Sequence, residues 1–316
     1  MSRQGTRRGT LAALVPKELA HHPRTFREAI RQLRSGRRLP RAVTDSAHER
    51  VVRQAADWQT LSARAKLWEA GAVAQGADSD WAYALAGQMA SVGEQLAVAY
   101  AAAIEVARWY QMRLGPDESP AREMSMRGMV EAQSQFVIGG GHGLANVAVR
   151  AMGIHRDLRA ALARAFRHKG GPAFAPFSRD RRDWISLNSV SAIALQTVAK
   201  GSGYGAVEAM VEPVVSLGLG RPWNDLVDRR GVDFHRWRPQ SHGMAGVAHE
   251  SPWKIEGNTR ILGFGEVPTY TEARDLVDRA SALASSAMLA LADAMERFSE
   301  SWPIASRDLG GPRFRL

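Results

Sequence analysis

The stretch richest in groups that could do chemistry is Arg229-Arg230-Gly231-Val232-Asp233-Phe234-His235-Arg236-Trp237-Arg238-Pro239-Gln240-Ser241-His242. Four arginines and two histidines lie among aromatic and rigid residues there, the inventory that chemistry on a phosphate requires. Guanidinium groups neutralise phosphate oxygens through paired N–H donors, and an imidazole takes or gives a proton near neutral pH. The candidate pair is Arg230 with His235, the first to stabilise charge on a phosphate and the second to act as general base or acid. Arg229, Asp233, Arg236, Arg238 and His242 are the candidate substrate-binding residues around them. The same inventory also fits a loop pinned by charge-assisted hydrogen bonds, with Asp233 on local arginines and Phe234 and Trp237 packed inward. Cleavage, binding without cleavage and structural pinning all stand open on these residues.

A helix over 223–235 would carry Arg230 and His235 near its end, five positions apart on roughly neighbouring faces, from which both are expected to reach one phosphate. The spacing Arg-x4-His resembles the Arg-x4-6-His motif of HEPN-domain proteins, an all-helical family of metal-independent ribonucleases and noncatalytic nucleotide-binding members. Arg229 to His235 is an equally permitted Arg-x5-His pair, and Arg236 to His242 repeats that spacing. The resemblance covers this short motif, and Gly231 stands where a polar residue commonly follows the family's arginine. It implies a homodimer with arginine and histidine from both protomers lining a cleft, no cofactor, and cleavage beside a ribose 2′-OH to leave a 2′,3′-cyclic phosphate. The alternative is a noncatalytic helical protein that binds nucleic acid or another partner.

Charge supplies a second candidate. The chain carries a net charge of +10, and residues 1–41 hold eleven Lys/Arg against Glu18 and Glu28, so +9 of it lies in that arm. Arg24, Arg27, Arg31, Arg34 and Arg38 follow spacings of 3, 4, 3 and 4, one stripe of a helix, while Phe26, Ile30 and Leu33 fall on another. A basic amphipathic helix of this kind can track a nucleic-acid backbone, lie on an anionic membrane surface, dock on an acidic partner, or simply present a solvated face. RNA or another nucleic acid is the partner carried forward.

Other signatures are weaker. Gly201-Ser202-Gly203-Tyr204-Gly205 looks like part of a dinucleotide fingerprint, but no strand precedes it and no βαβ alternation surrounds it, so a helix boundary is expected. Gly139-Gly140-Gly141-His142-Gly143 could offer backbone N–H groups to an anion, yet without a Gly-x-Ser-x-Gly elbow a helix break or a close helix contact is expected. His235, His242 and His249 recur every seven residues, but the prolines and glycines between them deny one helical face, and no metal site is expected. Phe177-Ser178-Arg179-Asp180-Arg181-Arg182-Asp183-Trp184 fits either a stacking clamp for a single strand or a salt-bridged surface loop.

The elements that must position these residues are helical. Val52, Ala55, Trp58, Leu61 and Ala65 predict a helix over 45–74, and Leu85, Met89, Val92 and Leu96 predict a second over 78–114, stopped at Gly115-Pro116. Ser119-Pro120 opens a third segment that meets the glycine run and resumes over 144–166. A connection over 168–183 leads to helices over 186–200 and 204–212, the latter ending ahead of Pro213. Pro222, Pro239, Gly243, Gly246, Pro252 and Gly257 punctuate 221–268, leaving room for a small hairpin of 254–256 with 259–264 joined by Gly257-Asn258. A capping box at Thr269 to Glu272 opens a last helix, with Leu276, Ala280, Leu283, Ala287 and Leu291 on one stripe. The expected fold class is all-α: a basic arm over 1–41 and a helical bundle domain over 42–316 with one irregular Pro/Gly-rich insertion.

Length and composition set the remaining bounds. At 316 residues and 45% hydrophobic content the chain can bury a sizeable core without metal or disulfide. It has no cysteine, which excludes a disulfide framework and suits a reducing, cytoplasmic setting. Arg7-Arg8 ahead of Leu11 to Val15 is too short an apolar run, broken by Pro16 and Lys17, for an export signal. The apolar run over 96–107 is interrupted by Glu105 and falls short of the ~18 apolar residues that a membrane span needs, so no stable membrane insertion is expected.

Overall fold

The computed structural model describes residues 46–74, 79–111, 119–153, 155–166, 184–235, 253–256, 259–262 and 270–309. Among these the architecture is all-α. Eight helices are present among the described residues: Ser46–Ala74 (α1), Ser79–Gln111 (α2), Ser119–Met152 (α3), Arg156–Ala165 (α4), Ser189–Gly201 (α5), Gly205–Leu219 (α6), Arg221–His235 (α7) and Tyr270–Asp308 (α8). Between α7 and α8 lie two short strands, Trp253–Glu256 (β1) and Thr259–Leu262 (β2), paired antiparallel with Glu256 opposite Thr259. No helix among the described residues is long and apolar enough to cross a membrane. The basic arm, with Arg24, Arg27, Arg31, Arg34 and Arg38, lies outside the described residues.

The helical stripes read from spacing are the buried faces. Val52, Ala55, Trp58, Leu61 and Ala65 on α1 and Leu85, Met89, Val92 and Leu96 on α2 all enter the core. Helix α8 runs through the centre and touches α1, α2, α3, α6 and α7. Its Phe298 lies 5.7 Å from the Trp58 ring and stacks on Trp302 at 6.4 Å. The Trp58 indole N–H donates to the Met295 carbonyl over 3.2 Å, which satisfies the polar end of a fully buried ring. Val106 of α2, Met126 and Val130 of α3, and Val277 and Ala280 of α8 form a second, smaller apolar cluster.

Two helices continue where the sequence suggested a stop. The glycine run does not break α3, which runs on to Met152 before α4 begins at Arg156. All four glycines of the run admit a neighbour, the close helix contact expected as the alternative to a break, with Gln95 of α2 2.9 Å from where a Cβ at Gly139 would stand. A Cβ at Gly143 would stand 2.6 Å from Val92 of α2, one at Gly140 would stand 2.8 Å from Leu291 of α8, and one at Gly141 would stand 2.2 Å from the Trp223 ring of α7. The penalty of glycine in a helix, about 1 kcal/mol each relative to alanine, is offset by the packing this close approach permits.

Pro213 likewise lies inside α6 rather than ending it. Its missing N–H and ring cost about 3 kcal/mol in a helix interior. Burial of Val207, Met210, Val211, Val214, Val215 and Leu217 opposes that cost. The boundary expected at Gly201 to Gly205 is present: α5 ends there, and Gly203 takes φ +72°, the left-handed conformation that glycine adopts without strain.

Gly141→Ala forces a methyl into the Trp223 ring and is expected to destabilise the protein by about 2 kcal/mol, in the range of core overpacking. Gly128→Ala, on the same helix but facing open space, is expected to stabilise it by about 0.5–1 kcal/mol. Urea denaturation of both variants checks the pair; equal effects would contradict the close-packed account of Gly141.

Candidate functional site: the α3–α7 junction

Helix α7 begins at a tight corner with α6. Pro222 occupies its first turn, where a missing N–H costs nothing. The Asn224 side-chain amide donates to the carbonyls of Gly218 and Gly220 at 3.3 and 3.1 Å, clamping the end of α6 to the start of α7. Beyond the clamp, Trp223, Leu226 and Arg230 follow spacings of 3 and 4, a single stripe. Trp223 and Leu226 are buried and Arg230 is half-buried at the outer end of this stripe.

Under Trp223 lies His142 of α3, its ring edge-on to the indole at 5.7 Å and 80°. Both rings, with Asn146 one turn further along α3, hold an extended segment, residues 184–188. The Leu187 N–H donates to His142 Nδ1 at 2.9 Å, and the Leu187 carbonyl accepts from the Trp223 indole N–H at 3.3 Å. Asn146 donates to the Ile185 carbonyl at 2.8 Å and accepts from the Ile185 N–H at 3.0 Å. Three side chains thus supply the hydrogen bonds a neighbouring strand would otherwise provide, as buried backbone requires. Asn188 then caps α5: its side chain accepts from the Ser191 N–H, and the Ser191 hydroxyl accepts in return from the Asn188 N–H.

The electrostatics follow from this placement. His142 is pushed down from 6.5 to about 4, by burial first and by the positive charge of Arg230 second. The imidazole is therefore neutral at physiological pH. Because Nδ1 accepts from Leu187, its single proton resides on Nε2.

The sequence-predicted site residues divide accordingly. Arg229 and Arg230 are half-buried on α7. Asp233 and His235 fall on its final turn. Five positions at 3.6 residues per turn put His235 about 140° around the helix from Arg230, so the two do not share a face of one α7. Arg236, Arg238 and His242 lie outside the described residues, as does 177–183 of the arginine-rich loop; Trp184 at its end is exposed. No group of three metal-ligating side chains occurs among the described residues.

Charged groups elsewhere on the body pair locally. Arg50 bonds Asp293 and Glu296, Arg297 bonds Glu212, and Arg221 bonds Asp225 at 3.3 Å, pairs of the exposed kind that contribute little individually.

Sequence reasoning does not find His142 as a partner for Arg230. The signal available is the 3–4 spacing of Trp223, Leu226 and Arg230, which marks an inward stripe; nothing in the sequence says which helix it faces.

No family model, curated protein or solved structure matches the chain. The resemblance to HEPN proteins therefore rests on the spacing of one motif.

The His142 linkage has a definite sign. An unfolded chain takes up the imidazole proton near 6.5 and the native one only near 4, so the unfolded state binds the extra proton first. This contribution to stability is whole above pH 6.5 and is lost as pH falls toward 4, by about 3 kcal/mol. NMR titration of the His142 ring is expected to give a midpoint near the lower value; an ordinary midpoint would contradict the buried, Arg230-facing placement.

Proposed function

We propose that the protein binds RNA through the arginine-rich end of α7. The observation that carries this reading is the placement of Arg229 and Arg230: adjacent, half-buried cations on a helix fixed at its start by Trp223 and Asn224. In sequence, Arg236 and Arg238 follow them within nine positions of Arg229. Guanidinium groups held on a rigid element lose little freedom on meeting a phosphate backbone, and each phosphate neutralised releases counterions. The basic arm adds affinity of the same sequence-independent kind through Arg24, Arg27, Arg31, Arg34 and Arg38.

A second reading, metal-independent cleavage, draws on Arg230 and His235 both falling on α7. With about 140° between them on one helix, convergence on one phosphate calls for a homodimer, Arg230 and His235 coming from both protomers. In that arrangement Arg230 stabilises the phosphate charge. His235 removes the 2′-OH proton, the oxygen attacks phosphorus, and the 5′-oxygen leaves with a proton, giving a 2′,3′-cyclic phosphate.

Labelled single-stranded RNA, measured with EDTA across a salt series, tests both readings. Arg229→Gln/Arg230→Gln is expected to weaken binding roughly tenfold and to lower the slope of log affinity against log salt by about 0.7 for each phosphate that is no longer neutralised. His235→Ala is expected to keep wild-type affinity. RNA left intact by wild type and His235→Ala supports binding alone, whereas cyclic-phosphate ends made only by the wild type support cleavage. No measurable affinity in the wild type would refute both.

A further inference from the structure

We infer that His142 is an acid-released latch on the segment 184–188: a proton taken up at Nδ1 expels the Leu187 N–H, and the segment lifts from α3 while the packing of α1, α2 and α8 stays intact. This goes beyond the RNA-binding reading and holds with or without it.

The reason lies in the hydrogen bond at Nδ1. That nitrogen has one lone pair, and it is given to the Leu187 N–H at 2.9 Å. The imidazole's own proton sits on Nε2, so a second proton can add only at Nδ1. Two N–H groups would then face each other, and one must move. The ring is the less able to do so: Trp223 stands edge-on to it at 5.7 Å, and α3 is closed down on Trp223 at Gly141 and on Val92 at Gly143. The segment is the looser side. It pairs with no strand among the described residues, and Trp184 at its start is exposed. At Ile185 and Leu187 its peptide groups are held by the side chains of Asn146, His142 and Trp223. At its far end the Ser186 carbonyl and the Asn188 cap bond to Ser191, and so move with α5.

The charges around His142 favour release once the proton is on. Helix α7, in contact through Trp223, brings Arg230, whose positive charge opposes a second one at the ring. Apart from His142 itself, α3 carries no titratable group from Ile138 to Asn146, and neither the segment nor the first two turns of α5 carry one. Helix α2 approaches the glycine run through Val92, and its Glu94 is exposed; α8 approaches through Leu291, and its Asp293 pairs with Arg50. Helix α6 meets Leu187 through Gly218, and its last turn is uncharged. Among the described residues no carboxylate acts at His142 to stabilise its cation.

The direction with pH follows. Released, the imidazole titrates near its ordinary 6.5; latched, near 4. The latch is whole above pH 6.5, and the released fraction grows about tenfold per pH unit below it, reaching roughly 300-fold once pH is under 4.

Amide hydrogen exchange of the 15N-labelled full chain, followed by NMR across this pH range and corrected for intrinsic exchange, tests the latch. The Leu187 and Ile185 amides are expected to lose protection together, at lower free energy than the amide of Leu96, which lies in the core. His142→Asn sets a carbonyl oxygen near the place of Nδ1 and cannot take the proton, so its Leu187 amide is expected to lack that loss. Circular dichroism and the Leu96 amide report whether this variant is folded. Leu187 exchanging at the same free energy as Leu96 throughout would mean that only global unfolding frees the segment, and would overturn the latch. So would Leu187 losing protection while Ile185 keeps it, or the same pH slope in wild type and His142→Asn. If the variant does not fold, the wild-type comparison of Leu187, Ile185 and Leu96 decides by itself.

Discussion

Helix α7 lies on α3 at van der Waals distance because position 141 carries no side chain. The Trp223 ring fills the space a Cβ would take, and everything at the junction depends on that approach. With the indole displaced by even a methyl group, its N–H would leave the Leu187 carbonyl and its face would leave His142. A residue whose own chemistry is nil therefore sets the positions of Arg230, His142 and the segment 184–188. Protein interiors transmit such small steric changes because they are packed to the density of organic crystals.

The same junction explains why His142 is neutral. A buried imidazole loses the solvation that its charged form needs, and a nearby guanidinium adds repulsion. The Leu187 N–H fixes the tautomer. Side-chain hydrogen bonds from His142, Asn146 and Trp223 let an irregular segment cross the bundle with the peptide groups of Ile185 and Leu187 paired, where leaving them unpaired would cost roughly 1–3 kcal/mol for each buried group. Polar residues in this core thus serve the backbone.

Much of the fold is legible in the sequence because amphipathic periodicity is a local signal. The stripes on α1 and α2, the helix boundary at Gly203 and the helix reaching His235 all follow from residues within a few turns of one another. Continuity of α3 through Gly139 to Gly143, and of α6 through Pro213, is not legible. In both places local propensity argues for a break, and packing from distant helices overrides it. The candidate site is legible only in part for the same reason. Arg229, Arg230 and His235 stand out by type and spacing, whereas the neighbour of Arg230 is decided by how α7 crosses α3. His142 is 88 positions away in the chain. No periodicity encodes a pairing of that length.

The extended segment 184–188 owns none of the groups that hold Ile185 and Leu187. Those groups belong to α3 and α7, while Ser191 of α5 donates to the Ser186 carbonyl, so the segment loses its bonds at Ile185 and Leu187 once α3 and α7 move away from it. Opening α7 removes the Trp223 bond at once and uncovers His142, and the entry to α5 loses its footing with them. Helix α7, the segment and the entry to α5 should accordingly open and close as one cooperative unit. A ligand that grips α7 would then also slow the opening of a stretch of chain it never touches.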